Sequence, residues 1–240
     1  MKIKIYFHVT ALEGWEEFIN EKVGLMYQSG LWKKADEIWF KLHYPDTEFG
    51  LFIDKWSLDS RIKFWVCNDS IKPLSEVYSQ RFLLSNCLKE TEPVAIFRYH
   101  TKGLSYKNNP KEYPIALSWC RYLDYWNIIQ WREAYSALLA GYDTSGCGWH
   151  PLWNAALNIS GHYSGNIWWA NSEYIKKLPM LHKPHEINSA NQLGGFSPRH
   201  DSELWIGASN PTVYELHHYE HAVVNHVAPP THYEVRRDTL

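Results

Sequence analysis

The densest run of side chains able to do chemistry is Ile159–Ala170, which reads Ile-Ser-Gly-His-Tyr-Ser-Gly-Asn-Ile-Trp-Trp-Ala. Gly161 and Gly165 let a backbone come close to a ligand because no Cβ intervenes. His162, Ser164 and Asn166 offer directed hydrogen bonds, and Trp168 and Trp169 each add a flat apolar face with one N–H donor. A sugar ring asks for that combination, since its hydroxyls need several directed bonds and its C–H face stacks on an aromatic plane. A buried turn followed by core tryptophans would use the same residues, because ligand sites are themselves apolar walls with a few polar groups.

Other candidates lie at predicted strand ends. Pro93–His100 reads as a strand closed by Thr101-Lys102-Gly103. His100, Thr101, Lys102 and Gly103 could hold phosphates, with Lys102 as the point charge and the Gly103 backbone approaching closely; a solvated turn has the same composition. His8 and Thr10 end the first predicted strand, where an open α/β sheet faces its ligand crevice, though an ordinary strand-to-helix turn would also fit. Glu203 stands before the apolar run Leu204–Gly207. A carboxylate there could take a proton from an attacking hydroxyl, or could cap a helix or pair with Arg199. His217 and His221 would share a face if their segment were helical, and could then bind a metal. Against this, metal-binding histidines normally come with a carboxylate or Cys in a defined geometry, and here only Glu215 and Glu220 are near.

The elements that must position these residues follow from periodicity. Lys2–Val9 is a strand entering a buried sheet, and Trp15–Ser29 is an amphipathic helix ending near Gly30. Strands are predicted within Ala35–Tyr44 and at Ile62–Val66, with a weaker one at Gly50–Ile53. A helix over Leu74–Leu88 makes Glu76, Gln80 and Arg81 available to a cleft. Ile115–Leu139 forms one long or two abutting helices, Gly141–Gly148 a loop, and Pro151–Ser160 a strand leading into the central motif. Asn171 or Ser172 caps a short helix to Leu178, which Pro179 ends. Leu181–His200 reads as a long surface loop acting as a lid or substrate wall. Alternating strands and helices define an α/β class with a mostly parallel sheet.

Composition narrows the classes. A chain of 240 residues with 45% hydrophobic and 21% charged residues is globular, and one domain is expected. Thirteen Trp and 16 Tyr exceed ordinary core needs and suggest rings lining a cleft, although bulky core packing accounts for many. A net charge of −2 without basic runs disfavours a nucleic-acid partner. No apolar run approaches the ~20 residues of a membrane span, and the N-terminus lacks a signal-peptide pattern. A cytosol-like (cytoplasmic) compartment is expected. Cys67, Cys87, Cys120 and Cys147 have no Cys-x-x-Cys spacing, so reduced, mostly buried thiols are expected.

Tyr99-His100-Thr101-Lys102-Gly103, Trp119 opening a helix, His162–Trp169 and Glu203-Leu204-Trp205-Ile206, in this order and spacing, resemble a group of small nucleotide-sugar-dependent glycosyltransferases of the GT-A type. These occur in bacteria and large DNA viruses, including the chlorella-virus enzymes that decorate capsid glycans. The similarity runs from the first strand to about Gly207. It implies one GT-A-like (Rossmann-like) domain over residues 1–240: a nucleotide-sugar-binding half over about 1–105, an acceptor half over about 106–210, and a C-terminal tail over 211–240. It implies transfer from a nucleoside-diphosphate sugar, UDP-linked in the first instance, to a hydroxyl of an acceptor glycan or glycoprotein. By that likeness His8 and Thr10 lie near base or ribose, Asn68 and Glu76 over the nucleotide, and His100, Thr101 and Lys102 where many such enzymes place a metal-binding Asp-x-Asp. His162, Ser164, Gly165, Asn166, Trp168 and Trp169 form the sugar and acceptor wall, and Glu203 is the catalytic or acceptor-orienting carboxylate. This sequence contains no Asp-x-Asp, which puts a Mn²⁺ or Mg²⁺ clamp in doubt. The alternatives are a non-catalytic lectin-like module, a glycoside hydrolase, which would need a second carboxylate, and an inactive scaffold.

Overall fold

Four apolar runs frame the molecule. The strands β1 (Lys2–Thr10), β2 (Glu37–His43), β3 (Ile62–Cys67) and β4 (Val94–His100) lie parallel in the order β3-β2-β1-β4. The computed structural model describes residues 1–43, 49–67, 75–101, 103–154, 159–182, 198–219 and 231. In β1, Ile3, Ile5, Phe7 and Val9 enter one core cluster while Tyr6 enters another. That period of two is what a strand covered on both faces requires, and every residue of β4 is buried.

Helices cover both faces. On the first lie α1 (Trp15–Ser29), the short α2 (Leu31–Lys34), α3 (Gly50–Trp56), α5 (Glu112–Asp124), a π-helical turn (Tyr125–Ile129) and α6 (Trp131–Leu139). α1 buries Trp15, Ile19, Val23 and Met26 along one stripe, and ends where Gly30, at φ 79°, turns its N–H to the Tyr27 carbonyl. On the second face lie α4 (Ser75–Cys87) and α7 (Ser172–Ile175), with the 3₁₀ turn Trp205–Gly207 that follows α8 (Pro198–Leu204). Asn171 caps α7, its Oδ1 accepting from the Glu173 N–H at 2.9 Å.

The second half of the chain extends the sheet. β8 (Trp168–Asn171) runs antiparallel to both β4 and β5 (Thr144–Cys147), and β9 (Val213–His217) is parallel to β5. The full order is β3-β2-β1-β4-β8-β5-β9, and β6 (Trp149–Asn154) with β7 (Ile159–Tyr163) forms a separate hairpin. The result is an α/β protein with a mostly parallel mixed sheet flanked by helices, compatible with a Rossmann-like fold. Among the described residues no helix is long and apolar enough to cross a membrane. All four cysteines are buried free thiols.

A buried ionic latch ties β4 to α1 and α5. Lys22 Nζ donates to Asp124 Oδ2 at 2.7 Å and the Tyr99 hydroxyl to Asp124 Oδ1 at 2.6 Å. Burial alone would lower the Lys22 pKa, but the Asp124 carboxylate outweighs it and keeps the ammonium charged.

Several sequence expectations are corrected. Gly50–Ile53 is helical: Leu51 is exposed and Phe52 buried, and Ile53 N–H bonds the Phe49 carbonyl at 2.9 Å. Four residues are too few to tell a period of two from one of 3.6. Gly141–Gly148 is not all loop, since Thr144–Cys147 forms β5, a fully buried strand inside the sheet. Its small polar residues have no strand pattern; Gly146 leaves room for the Tyr163 ring, and Thr144 Oγ1 bonds Tyr163 Oη at 3.0 Å. Trp119 lies within α5 rather than opening it. The lid expected over Leu181–His200 falls mostly on residues 183–197, outside the described residues, and its end, Pro198–His200, begins α8. Val213–His217, expected within a tail, is the strand β9.

Candidate functional site

Chain order makes a crevice. From β1 the chain passes to β2 and β3 on one side, while β4 docks on the other, so the order reverses between β1 and β4. Helices connecting onward must leave in opposite directions at such a point, and a cleft opens beyond the carboxyl ends of the two strands. His8 and Thr10 arrive there from β1, and His100 and Thr101 from β4. The ends are bonded together: Thr101 N–H donates to the His8 carbonyl at 3.1 Å and Thr10 N–H to Thr101 Oγ1 at 3.1 Å. Thr10 Oγ1 lies 3.3 Å from His8 Nε2.

Over these strand ends sits the turn that joins β7 to β8. Gly165 and Asn166 adopt φ of 85° and 53°, a left-handed pair in which a Cβ at Gly165 would press on Leu123, and in which Asn is one of the few side chains tolerated. The turn aims the Gly165 carbonyl at His100, whose Nε2 donates to it at 2.6 Å. The Arg98 guanidinium, buried under the same turn, donates to the Asn166 carbonyl and, at 2.9 Å, to Glu76 Oε2 on α4. Asn166 Nδ2 donates to Glu76 Oε2 at 2.8 Å and to the Ser202 carbonyl of α8 at 3.2 Å, while its Oδ1 accepts from Trp168 Nε1 at 3.0 Å. Gln80 Nε2 donates to the same Ser202 carbonyl at 2.6 Å. One asparagine thus joins β8, α4 and α8.

The electrostatics follow from burial beside cations. Burial would raise the Glu76 pKa, but the neighbouring His100 and the Arg98 guanidinium outweigh it and hold the carboxyl well below the usual carboxylate range. A quarter of the Glu76 side chain stays accessible, so it sits at the mouth of the crevice. Burial pulls Arg98 below its ordinary value, while Glu76, and more weakly Glu203, favour its charge. His8 is held neutral, first by burial and then by the nearby Lys41.

The structure therefore brings His8, Thr10, Glu76, His100, Thr101, Gly165 and Asn166 together. Gly103, at φ 88°, turns the chain from Thr101 into a 3₁₀ turn packed on α5. Glu203 lies on α8, beside the Ser202 carbonyl that Asn166 engages. Ser164 is buried, its N–H bonded to the Gly148 carbonyl at 2.9 Å. His162 lies on β7, stacked on His150 with centroids 4.8 Å apart. Asn68, Lys102 and His221 lie outside the described residues.

The two tryptophans are corrected as a sugar wall. Trp168 and Trp169 have no accessible surface. Trp169 stacks on Phe97 at 4.7 Å and donates Nε1 to the Asn127 carbonyl, and Trp168 lies against Trp205 and the Arg98 guanidinium. Rings enclosed by protein offer no face to a ligand. Most of the aromatic excess is spent the same way, with Trp32, Trp119 and Trp205 also buried. His217 is likewise corrected: it lies on β9, not on a helix, stacked on Trp126 at 4.6 Å, with its Nδ1 3.1 Å from Tyr122 Oη.

Sequence reading missed Arg98, Lys41 and the Ser202 carbonyl. The first two had a signal: each is the one Lys or Arg inside a strand made mostly of apolar residues. A cavity of about 330 Å³ lined by Lys2, Lys34, Asp36, Glu90 and Glu92 opens at the opposite, amino end of the strands, away from this network.

Neither a scan of protein-family models nor a comparison with curated proteins returned a match for this chain. Fold and site together define an α/β protein with a charged, switch-point crevice.

Proposed function

We propose that the chain is a GT-A-type glycosyltransferase that moves a sugar from a nucleoside-diphosphate donor, UDP-linked in the first instance, to a hydroxyl of an acceptor glycan or glycoprotein. The observation that carries the reading is the convergence of His8, Thr10, His100 and Thr101 with Arg98, Glu76 and Asn166 at the reversal point between β1 and β4. Nucleotides bind at such points because strand-end backbone groups and the crevice walls meet there. The mostly parallel sheet flanked by helices and the free buried thiols, as in a reducing, cytosol-like compartment, support the same proposal.

In this reading the strand-end groups hold the donor, and α8 presents Glu203 to the acceptor. If transfer inverts the anomeric centre, the acceptor oxygen bonds the anomeric carbon as the bond to the diphosphate breaks, and Glu203 takes the hydroxyl proton. If it retains, Glu203 orients the acceptor. Departing charge has to be stabilised electrostatically in either case. The fit of a divalent metal is poor: among the described residues no group of three or more His, Cys, Asp or Glu is placed to hold one, and Glu76 is engaged by Arg98 and Asn166. No step here runs through a metal.

Calorimetric titration with UDP and with GDP, each with Mn²⁺ and with EDTA, tests the reading. Binding of one nucleotide is expected. Binding of neither, together with binding of free sugars, would replace it with a lectin-like module.

A further inference from the structure

α8 meets the site through one backbone carbonyl. That of Ser202 is among the last four carbonyls of α8, which a helix leaves to outside donors. Two side-chain amides from different elements converge on it, Gln80 Nε2 of α4 at 2.6 Å and Asn166 Nδ2 of the β7–β8 turn at 3.2 Å. The Gln80 bond is the shorter, and Asn166 shares its Nδ2 with Glu76 Oε2. A peptide group is planar, so donors that hold the Ser202 oxygen also hold the nitrogen and Cα of Glu203. Glu203 is the one residue of 201–207 that is half-buried rather than buried, and it lies close enough for its charge to act on Arg98.

Packing does not call for an amide at position 80. Gln80 is 0% exposed, and Val77, Leu83 and Leu84 of the same helix are buried in the apolar cluster that also holds Trp205 and Ile206. Gln80 Oε1 has no hydrogen-bond partner among the described residues. A buried amide with a bond unmade destabilises the fold relative to an apolar side chain of similar shape. What the amide does supply is direction. A hydrogen bond weakens steeply away from its preferred line, so donors arriving from α4 and from the β7–β8 turn fix where the Ser202 carbonyl points.

We propose that Gln80 is a positioning residue: by holding the Ser202 carbonyl it docks α8 and sets the peptide plane that carries Glu203. The part Glu203 plays in turnover rests on the function proposed above; the docking of α8 by Gln80 does not.

Two variants of the full chain test this. Gln80→Met keeps the volume and loses the donor, and Gln80→Asn keeps the amide but is a methylene too short to reach. In both, amide hydrogen exchange within residues 201–207 is expected to quicken about three- to tenfold, the worth of one hydrogen bond, while exchange in β1 and β4 stays at the wild-type rate. The ¹³C signal of the Glu203 carboxyl, assigned by its loss in Glu203→Gln, is expected to move in both. Turnover is read as UDP or GDP released from a panel of UDP- and GDP-sugars with water as acceptor. Its kcat is expected to fall about 10- to 100-fold, the effect of a misplacement of about 1 Å, with the calorimetric Kd for UDP or GDP unchanged. Wild-type exchange and an unmoved Glu203 signal in both variants overturn the proposal, and so does a wild-type kcat. Quickened exchange in β1 and β4 as well, or a loss of nucleotide affinity matching the loss of kcat, makes Gln80 a packing residue and also overturns it. If neither UDP nor GDP binds wild type, the glycosyltransferase reading falls, and exchange with the Glu203 signal decides whether Gln80 docks α8.

Discussion

At the scale of single residues, the network turns on side chains whose charge state is imposed by neighbours. Glu203 is proposed to act on the acceptor alone, so Glu203→Gln is expected to lower turnover about 100-fold or more while leaving UDP or GDP affinity unchanged; steady-state kinetics beside calorimetry would check this, and near wild-type turnover would remove Glu203 from the chemistry. His8 and Glu76 make stability depend on pH. The folded pKa of His8 lies well below its ordinary 6.5, so the unfolded chain takes up that proton more readily and stability falls as pH drops below about 6.5. Glu76 is held below its ordinary 4.5, so its contribution is present above about 4.5 and is lost on further acidification. Both act in the same direction. Thermal unfolding is expected to shift downward from pH 7.5 to 5.5, and the His8→Gln variant should show a smaller shift over that interval.

At the scale of elements, two close fits hold the site in place. In the hairpin, a Cβ on Gly161 would overlap the His150 carbonyl and press on the Trp149 ring, both across the β6–β7 pairing. Backbone cannot yield as a side-chain tip does, so Gly161→Ala is expected to destabilise by at least ~1–3 kcal/mol in urea denaturation. Gly161 of the Ile159–Ala170 run is thus needed for packing. The latch between α1, β4 and α5 gives the second prediction. Lys22→Met leaves Asp124 buried without its cation, at a cost of about 3–5 kcal/mol. Lys22→Met with Asp124→Asn should recover much of that loss, because the amide oxygen can still accept from the Tyr99 hydroxyl.

For the whole molecule, the prediction concerns linkage. A nucleotide bound at about 100 times its Kd contributes ~2.7 kcal/mol to the folded state. For a chain of this size that raises the unfolding midpoint by about 5–10 °C. UDP or GDP is expected to produce such a shift in a thermal scan. A comparable shift with a free monosaccharide and none with either nucleotide would point to a non-catalytic carbohydrate module.

Much of the architecture was legible in local pattern. β1, α1, β2, β3, α4 and β4 stand close to where periodicity put them, because each buries its own apolar stripe. The strand-end location of His8, Thr10, His100 and Thr101 followed from the same reading. What local pattern could not supply was pairing. β5 is a strand because β8 and β9 flank it, not because Thr-Ser-Gly-Cys prefers one. Trp168 and Trp169 looked like a ligand wall because their types suit either role, and only their neighbours, Asn166, Arg98, Asn127 and Phe97, decide for the core. Lys41, His8 and His100 are 33 and 92 residues apart in the chain, and Glu76 and Asn166 are 90. The sequence alone determined which residues could carry charge and hydrogen bonds at strand ends. Their gathering under one turn was decided by strand register and order, which depend on contacts between distant segments that no local pattern encodes.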